Sequence, residues 1–124
     1  MGIQGDNADS NAVVGNSIGT DATGIRPLGN VEYGIRIESG AKDNLIGGAL
    51  EGEGNVISGN GRNGILITGT GTDGNRIIGN AVGTDAGGIV LLGNGWNGIY
   101  ISNGSRGTAI GPGNTIAYNA DIGI

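Results

Sequence analysis

Residues 11–43 and 75–107, 64 positions apart, read NAVVGNSIGTDATGIRPLGNVEYGIRIESGAKD and NRIIGNAVGTDAGGIVLLGNGWNGIYISNGSRG, and sixteen of the 33 positions are identical. The segments between and after them, 44–74 and 108–124, share a shorter pattern: NLIGG…GNVISGN…GILI and TAIGP…GNTIAYN…GI. A repeat constrains a fold tightly, because each unit takes the same backbone and buries its apolar face on its neighbours. Four units are visible. Asn30, Asn60, Asn94 and Asn119 each stand four residues before a glycine, Gly34, Gly64, Gly98 and Gly123. Those glycines are followed by Ile35, Ile65, Ile99 and Ile124, and two residues further come Ile37, Ile67 and Ile101. A second register runs through Val13, Ile46, Ile77 and Ile110, with Asn11, Asn44, Asn75 and Thr108 two residues ahead of each. A third runs through Ile57, Leu91 and Ile116, with Pro27 in the equivalent slot.

Each unit thus holds three short apolar stretches that alternate at period two, the mark of strands. Between them lie corners rich in glycine and asparagine, the residues that supply positive-φ bends. Strands this short cannot pair within a unit, but they can pair with the same strand of the next unit about 4.8 Å away. The pattern therefore predicts an all-β chain, a three-sided β-solenoid with columns of Ile, Val and Leu inside. One domain, 1–124, is expected, with about four turns at 1–34, 35–64, 65–98 and 99–124. Asn30, Asn60, Asn94 and Asn119 are expected to stack as a ladder, since an amide side chain both donates and accepts.

Composition agrees. Thirty glycines exclude a helical bundle, because each costs a helix interior roughly 1 kcal/mol against alanine. No Gly-X-Y period marks collagen, and 36% apolar content with eighteen isoleucines is too much for a disordered tract. Without cysteine there is no disulfide framework or thiolate metal site; without histidine the commonest catalytic base and metal ligand are missing. A net charge of −5 with scattered bases does not suit a nucleic-acid surface. No run approaches the ~18 apolar residues of a membrane span, and the N-terminus lacks the basic and apolar regions of a signal peptide.

The motifs IGTDATG (18–24), VGTDAGG (82–88), GNVISGN (54–60) and GIxI (34–37, 64–67, 98–101) resemble those of bacterial right-handed parallel β-helix repeat proteins of the pectate-lyase-like superfold. The resemblance covers 3–124. It implies a right-handed parallel β-helix and an extracellular or cell-surface location. It implies little about activity, because that superfold hosts lyases, hydrolases, epimerases, adhesins and structural spacers.

Met1 and Ile124 fall at the same phase of the repeat, with no polar cap at either end. We expect either a module of a longer solenoid or a subunit that stacks on copies of itself through its terminal turns. Two surfaces are candidate sites. Asp21, Glu51, Glu53 and Asp85 are expected to share one acidic loop edge, where carboxylates would suit Ca²⁺. Glu32, Tyr33, Arg36, Arg62, Trp96 and Tyr100 are expected at outward positions of the third strand and the corner before it, and Tyr33, Trp96 and Tyr100 there could stack on sugar rings of a polysaccharide. Lys42, the sole lysine, sits in an ordinary loop, and no residue is assigned a catalytic role. The expected function is therefore a structural solenoid module, not an enzyme. The alternative is a carbohydrate-active module, lyase- or epimerase-like or glycan-binding, with calcium at its acidic loops.

Overall fold

A computed structural model describes all 124 residues and contains no helix. Four rungs follow one another. The first carries β1 (Gly2–Gln4), β2 (Ala12–Val13) and β3 (Ser17–Ile18); the second β4 (Ile35–Glu38), β5 (Leu45–Gly47) and β6 (Val56–Ile57). The third carries β7 (Ile65–Thr68), β8 (Arg76–Ile78) and β9 (Ala81–Val82); the fourth β10 (Ile99–Ser102), β11 (Ala109–Ile110) and β12 (Thr115–Ile116). Like strands stack in parallel as three sheets: β1-β4-β7-β10 (sheet A), β2-β5-β8-β11 (sheet B) and β3-β6-β9-β12 (sheet C). This is the three-sided β-solenoid that the repeat predicts. Sheet A closes on itself three times, so the chain makes about three complete turns rather than four. Residues 122–124 form no strand, although the Ile122 and Gly123 carbonyls accept from Gly98 N and Ile99 N at 2.9 Å each.

The registers place Ile3, Ile37, Ile67 and Ile101 in one column, and Val13, Ile46, Ile77 and Ile110 in a second. The third column is Ile18, Ile57, Val82 and Ile116, which corrects the expected partnership of Ile57 with Pro27 and Leu91. Counting back from the corner asparagine works only where that corner is short. In rungs one and three the chain leaves β3 and β9 into a small hairpin, with antiparallel bridges Thr20–Pro27 and Thr84–Leu91. Leu28 N and Leu92 N close these hairpins on the carbonyls of Gly19 and Gly83. Pro27 and Leu91 are thus carried outward, and Leu91 is exposed.

Inside, Ile35, Ile37, Ile46, Ile57, Ile65, Ile67, Ile77, Val82 and Ile99 are fully buried and form one continuous core. Each such side chain contributes roughly 1.5–3 kcal/mol by leaving water. Isoleucine suits the task because its branched Cβ packs flat on a pleated surface.

Strands of two to four residues leave many backbone groups to the corners, and asparagine side chains take them up. The expected ladder is present: Asn30 donates through Nδ2 to Asn60 Oδ1, Asn60 to Asn94 and Asn94 to Asn119, at 2.8–2.9 Å. Two further ladders run parallel to it, Asn11–Asn44–Asn75 and Asn16–Asn55–Asn80–Asn114. In all three, the backbone N–H and Nδ2 of one asparagine both donate to Oδ1 of the next rung's asparagine. A fourth run goes in the opposite direction: Ile122 N donates to Asn97 Oδ1, and Asn97 N and Nδ2 donate to Asn63 Oδ1.

Candidate functional site

The four expected metal-binding carboxylates do not meet. Asp21 and Asp85 lie in the hairpins between sheets C and A, whereas Glu51 and Glu53 lie in the second-rung loop between sheets B and C. No group of three or more acidic side chains is placed to hold a metal ion. The common edge expected for them fails for the reason that misplaced Pro27: the units insert residues at different corners.

Each aspartate instead organises its own hairpin. Asp21 Oδ1 accepts from Thr23 Oγ1 at 2.6 Å and Thr23 N at 3.1 Å. Asp85 Oδ1 accepts from Ile89 N at 2.7 Å and Val90 N at 2.8 Å. Glu53 Oε2 likewise accepts from Leu50 N. These bonds hold both aspartates below the ordinary carboxylate value of 3.8, chiefly through the Thr23 side chain at Asp21 and the Val90 and Ile89 amides at Asp85. A depressed folded-state pKa stabilises above the unfolded value and loses that contribution as pH falls. The hairpins should therefore keep their caps down to pH 3.8 and lose them below it. We expect the amide resonances of Ile89 and Val90 to titrate with a midpoint under 3.8, and Asp85→Asn to abolish that titration. A midpoint above that value, or its persistence in the variant, would contradict the assignment.

Sheet A carries the more structured surface. Its outward positions bring Arg36, Leu66 and Tyr100 side by side on successive strands, and Glu38, Thr68 and Ser102 in the next column. The corner before each strand adds Tyr33 in rung one, Arg62 and Asn63 in rung two, and Trp96 and Asn97 in rung three. Most of these residues, though not Arg62 or Glu38, line a shallow groove of about 530 Å³ that includes Tyr33, Asn63, Thr68, Trp96, Asn97 and Tyr100 and reaches Asp121 and Ile122 of the last rung. All three aromatic candidates contribute to it.

Arg62 organises the groove, a part that its spacing in the sequence does not reveal. Its guanidinium stands 5.0 Å from the Trp96 ring centroid and 5.8 Å from that of Tyr33. Nη1 donates to the Tyr33 hydroxyl at 3.3 Å and pairs with Glu32 at 3.1 Å, and both hold it in its charged form. Arg36 also stands 5.8 Å from the Tyr33 ring centroid and pairs with Glu38. Both arginines are thus balanced by carboxylates, and the rings are braced through cation–π contacts. Trp96 and Tyr100 remain about half exposed. The repeat places all of these residues on one outward face without revealing the clamp itself, which crosses three rungs and combines residues 29 and 34 positions apart.

The architecture and the groove define a parallel β-solenoid with an aromatic, charge-balanced face on one sheet. No protein-family model, curated protein or solved structure matches the chain. No helix is long and apolar enough to cross a membrane.

Proposed function

We propose that the chain is a structural β-solenoid module, a rigid spacer or stacking unit of the kind that its likeness to bacterial β-helix repeat proteins implies for an extracellular setting. The observation that supports this reading is continuity: one core and three amide ladders run from rung to rung, and Asp21, Glu53 and Asp85 are engaged in holding their own loops. Two catalytic carboxylates would need a separation fitted to a scissile bond, and a lyase would need a base beside an acidic sugar. In this reading the chain supplies neither, and calcium has no part in it. Incubation with uronic-acid polymers, with and without Ca²⁺, should yield no unsaturated product absorbing in the ultraviolet. Appearance of that product would replace this reading with the lyase-like one.

A second reading, glycan binding, is favoured by the braced rings of Tyr33 and Trp96 and the adjacent Tyr100. Aromatic faces beside amide and hydroxyl groups can stack on a sugar ring and bond its hydroxyls. In this reading Trp96→Ala, as titration calorimetry would register, lowers affinity for a retained glycan about tenfold or more, while a thermal melt shifts only slightly through loss of the Arg62 contact. Unchanged affinity would place the glycan elsewhere.

A further inference from the structure

Asn63 holds two donors without an acceptor. It is only 2% exposed, and its Oδ1 accepts from Asn97 N and Nδ2 at 3.1 Å each. Its own backbone N–H and Nδ2 donate to no atom of the chain. Elsewhere the same pair of donors is put to uniform use. Nine asparagines aim the backbone N–H and Nδ2 together at one side-chain amide oxygen, at 2.8–3.3 Å. Asn63 is held like Asn97, since Gly34 N donates to the Asn63 carbonyl at 3.1 Å as Gly64 N does to that of Asn97 at 3.0 Å. Its donors therefore face the rung of Tyr33, whose one side-chain oxygen lies at the far end of the ring and accepts from Arg62. Both neighbours in the column, Tyr33 and Asn97, belong to the chain, so nothing about this pair depends on what lies beyond the first or last rung.

Asn63 lines the groove on sheet A, between Tyr33 and Asn97. Its Nδ2 is not sealed from that groove, because the single enclosed side-chain polar atom without a hydrogen bond is the Thr108 hydroxyl, in the corner before β11. Buried polar groups are nearly always bonded, so a free pair of donors in the wall of a groove calls for an acceptor.

We infer that the groove takes a glycan carrying an acetamido group, and that Asn63 receives the acetamido oxygen. This rests on the glycan-binding reading of the groove and goes beyond it in naming the class of sugar. An amide carbonyl offers two lone pairs on one atom, and it is the acceptor that this donor pair meets everywhere else in the fold. An acidic sugar suits the groove less well. Its two cations are already paired, Arg36 with Glu38 and Arg62 with Glu32, and Asp121 adds a carboxylate with no cation beside it. A ligand carboxylate would thus meet a net negative surface. The apolar parts of an acetamido sugar are provided for. Trp96 immediately precedes Asn97, one rung or about 4.8 Å from Asn63, so a pyranose stacked on Trp96 brings its acetamido arm down to the free donors. A peptide amide presents the same oxygen, but two half-exposed rings in a shallow groove favour the flat face of a sugar.

Two tetrasaccharides that differ only in this group test the inference: the β-1,4 tetramer of N-acetylglucosamine and that of glucose, each titrated into the isotopically labelled chain. The acetamido tetramer should bind about tenfold or more tightly and should shift the backbone and side-chain amide resonances of Asn63. The glucose tetramer should leave those resonances in place. Asn63→Asp keeps the oxygen that Asn97 uses and removes the Nδ2 donor, so it should bring the two affinities together; the comparison of sugars on the unaltered chain stands whether or not that variant folds. Equal affinities, or a preference that leaves the Asn63 resonances unmoved, would overturn the inference while sparing glycan binding. Binding of neither tetramer would end both readings. Movement of the Asn63 resonances by an acetylated tripeptide amide and by neither sugar would also overturn it, in favour of a peptide.

Discussion

Replacing Asn94 with alanine will lower the unfolding free energy by about 3–5 kcal/mol, because it orphans more buried groups than its size suggests. Its Oδ1 accepts from both Asn60 N at 3.1 Å and Asn60 Nδ2 at 2.9 Å. Asn60 and Asn94 are each only 1% exposed, so water cannot replace the lost acceptor. Asn94 Nδ2 also donates to the Ile57 carbonyl at 3.0 Å and to Asn119 Oδ1 at 2.8 Å. An unsatisfied buried donor costs about 1–3 kcal/mol; here Asn60 N loses its acceptor outright, and Asn60 Nδ2 keeps only the long contacts to the Ile18 and Ser58 carbonyls at 3.4 Å. Asn30→Ala is the matched control: Asn30 is exposed and its Oδ1 accepts nothing, so about 1 kcal/mol or less is expected. Denaturant midpoints of the two variants decide the matter. Equal shifts would mean that the ladder is ornamental and that the isoleucine columns alone set stability.

The same comparison explains why the ladder could be read before the structure was known while the aromatic clamp could not. A solenoid writes each column into the sequence once per turn, so identity of residue type at fixed spacing suffices for Asn30, Asn60, Asn94 and Asn119. The isoleucine columns of sheets A and B are legible for the same reason. Phase is lost wherever a rung inserts a loop, because an insertion at one corner and a deletion at another can nearly cancel in the total. Counting from Asn60 matches Ile57 to Leu91, but the hairpins 19–29 and 83–93 intervene, and Ile57 stands beside Ile18 and Val82. That slip also put Glu51 and Glu53 on the edge of Asp21 and Asp85. The clamp of Glu32, Arg62, Tyr33 and Trp96 has no repeat to announce it, since the column Glu32–Arg62–Trp96 changes residue at every rung and Tyr33 is followed in its own column by Asn63 and Asn97. Such a site depends on which different side chains stand one rung apart, and that is readable only after the corners are placed.

A single methyl at Gly47 will damage the fold more than the loss of any one ladder bond. Gly47 closes β5, pairs with Ile78 on β8, and has φ +81°. A Cβ there would overlap the Ile78 carbonyl oxygen and stand 2.5 Å from Asn80 Oδ1. Neither neighbour can yield. The carbonyl is backbone in a paired strand and accepts from Asn80 Nδ2 at 3.0 Å, while Asn80 is itself buried in a ladder between Asn55 and Asn114. Because strands on both sides hold the rung spacing near 4.8 Å, relief requires the second and third rungs to part locally. Gly52 isolates the backbone component: it has the same φ of +81°, but no atom lies within 4 Å of its Cβ position. Gly52→Ala should therefore cost only the left-handed strain, about 1–2 kcal/mol. Gly47→Ala should exceed about 4 kcal/mol, the range reached only when packing or buried polar groups are disrupted. Thermal and denaturant melts of the pair read the difference directly. Similar losses at the two sites would mean that the rungs breathe enough to admit a methyl, and that close backbone approach does not explain glycine at this corner.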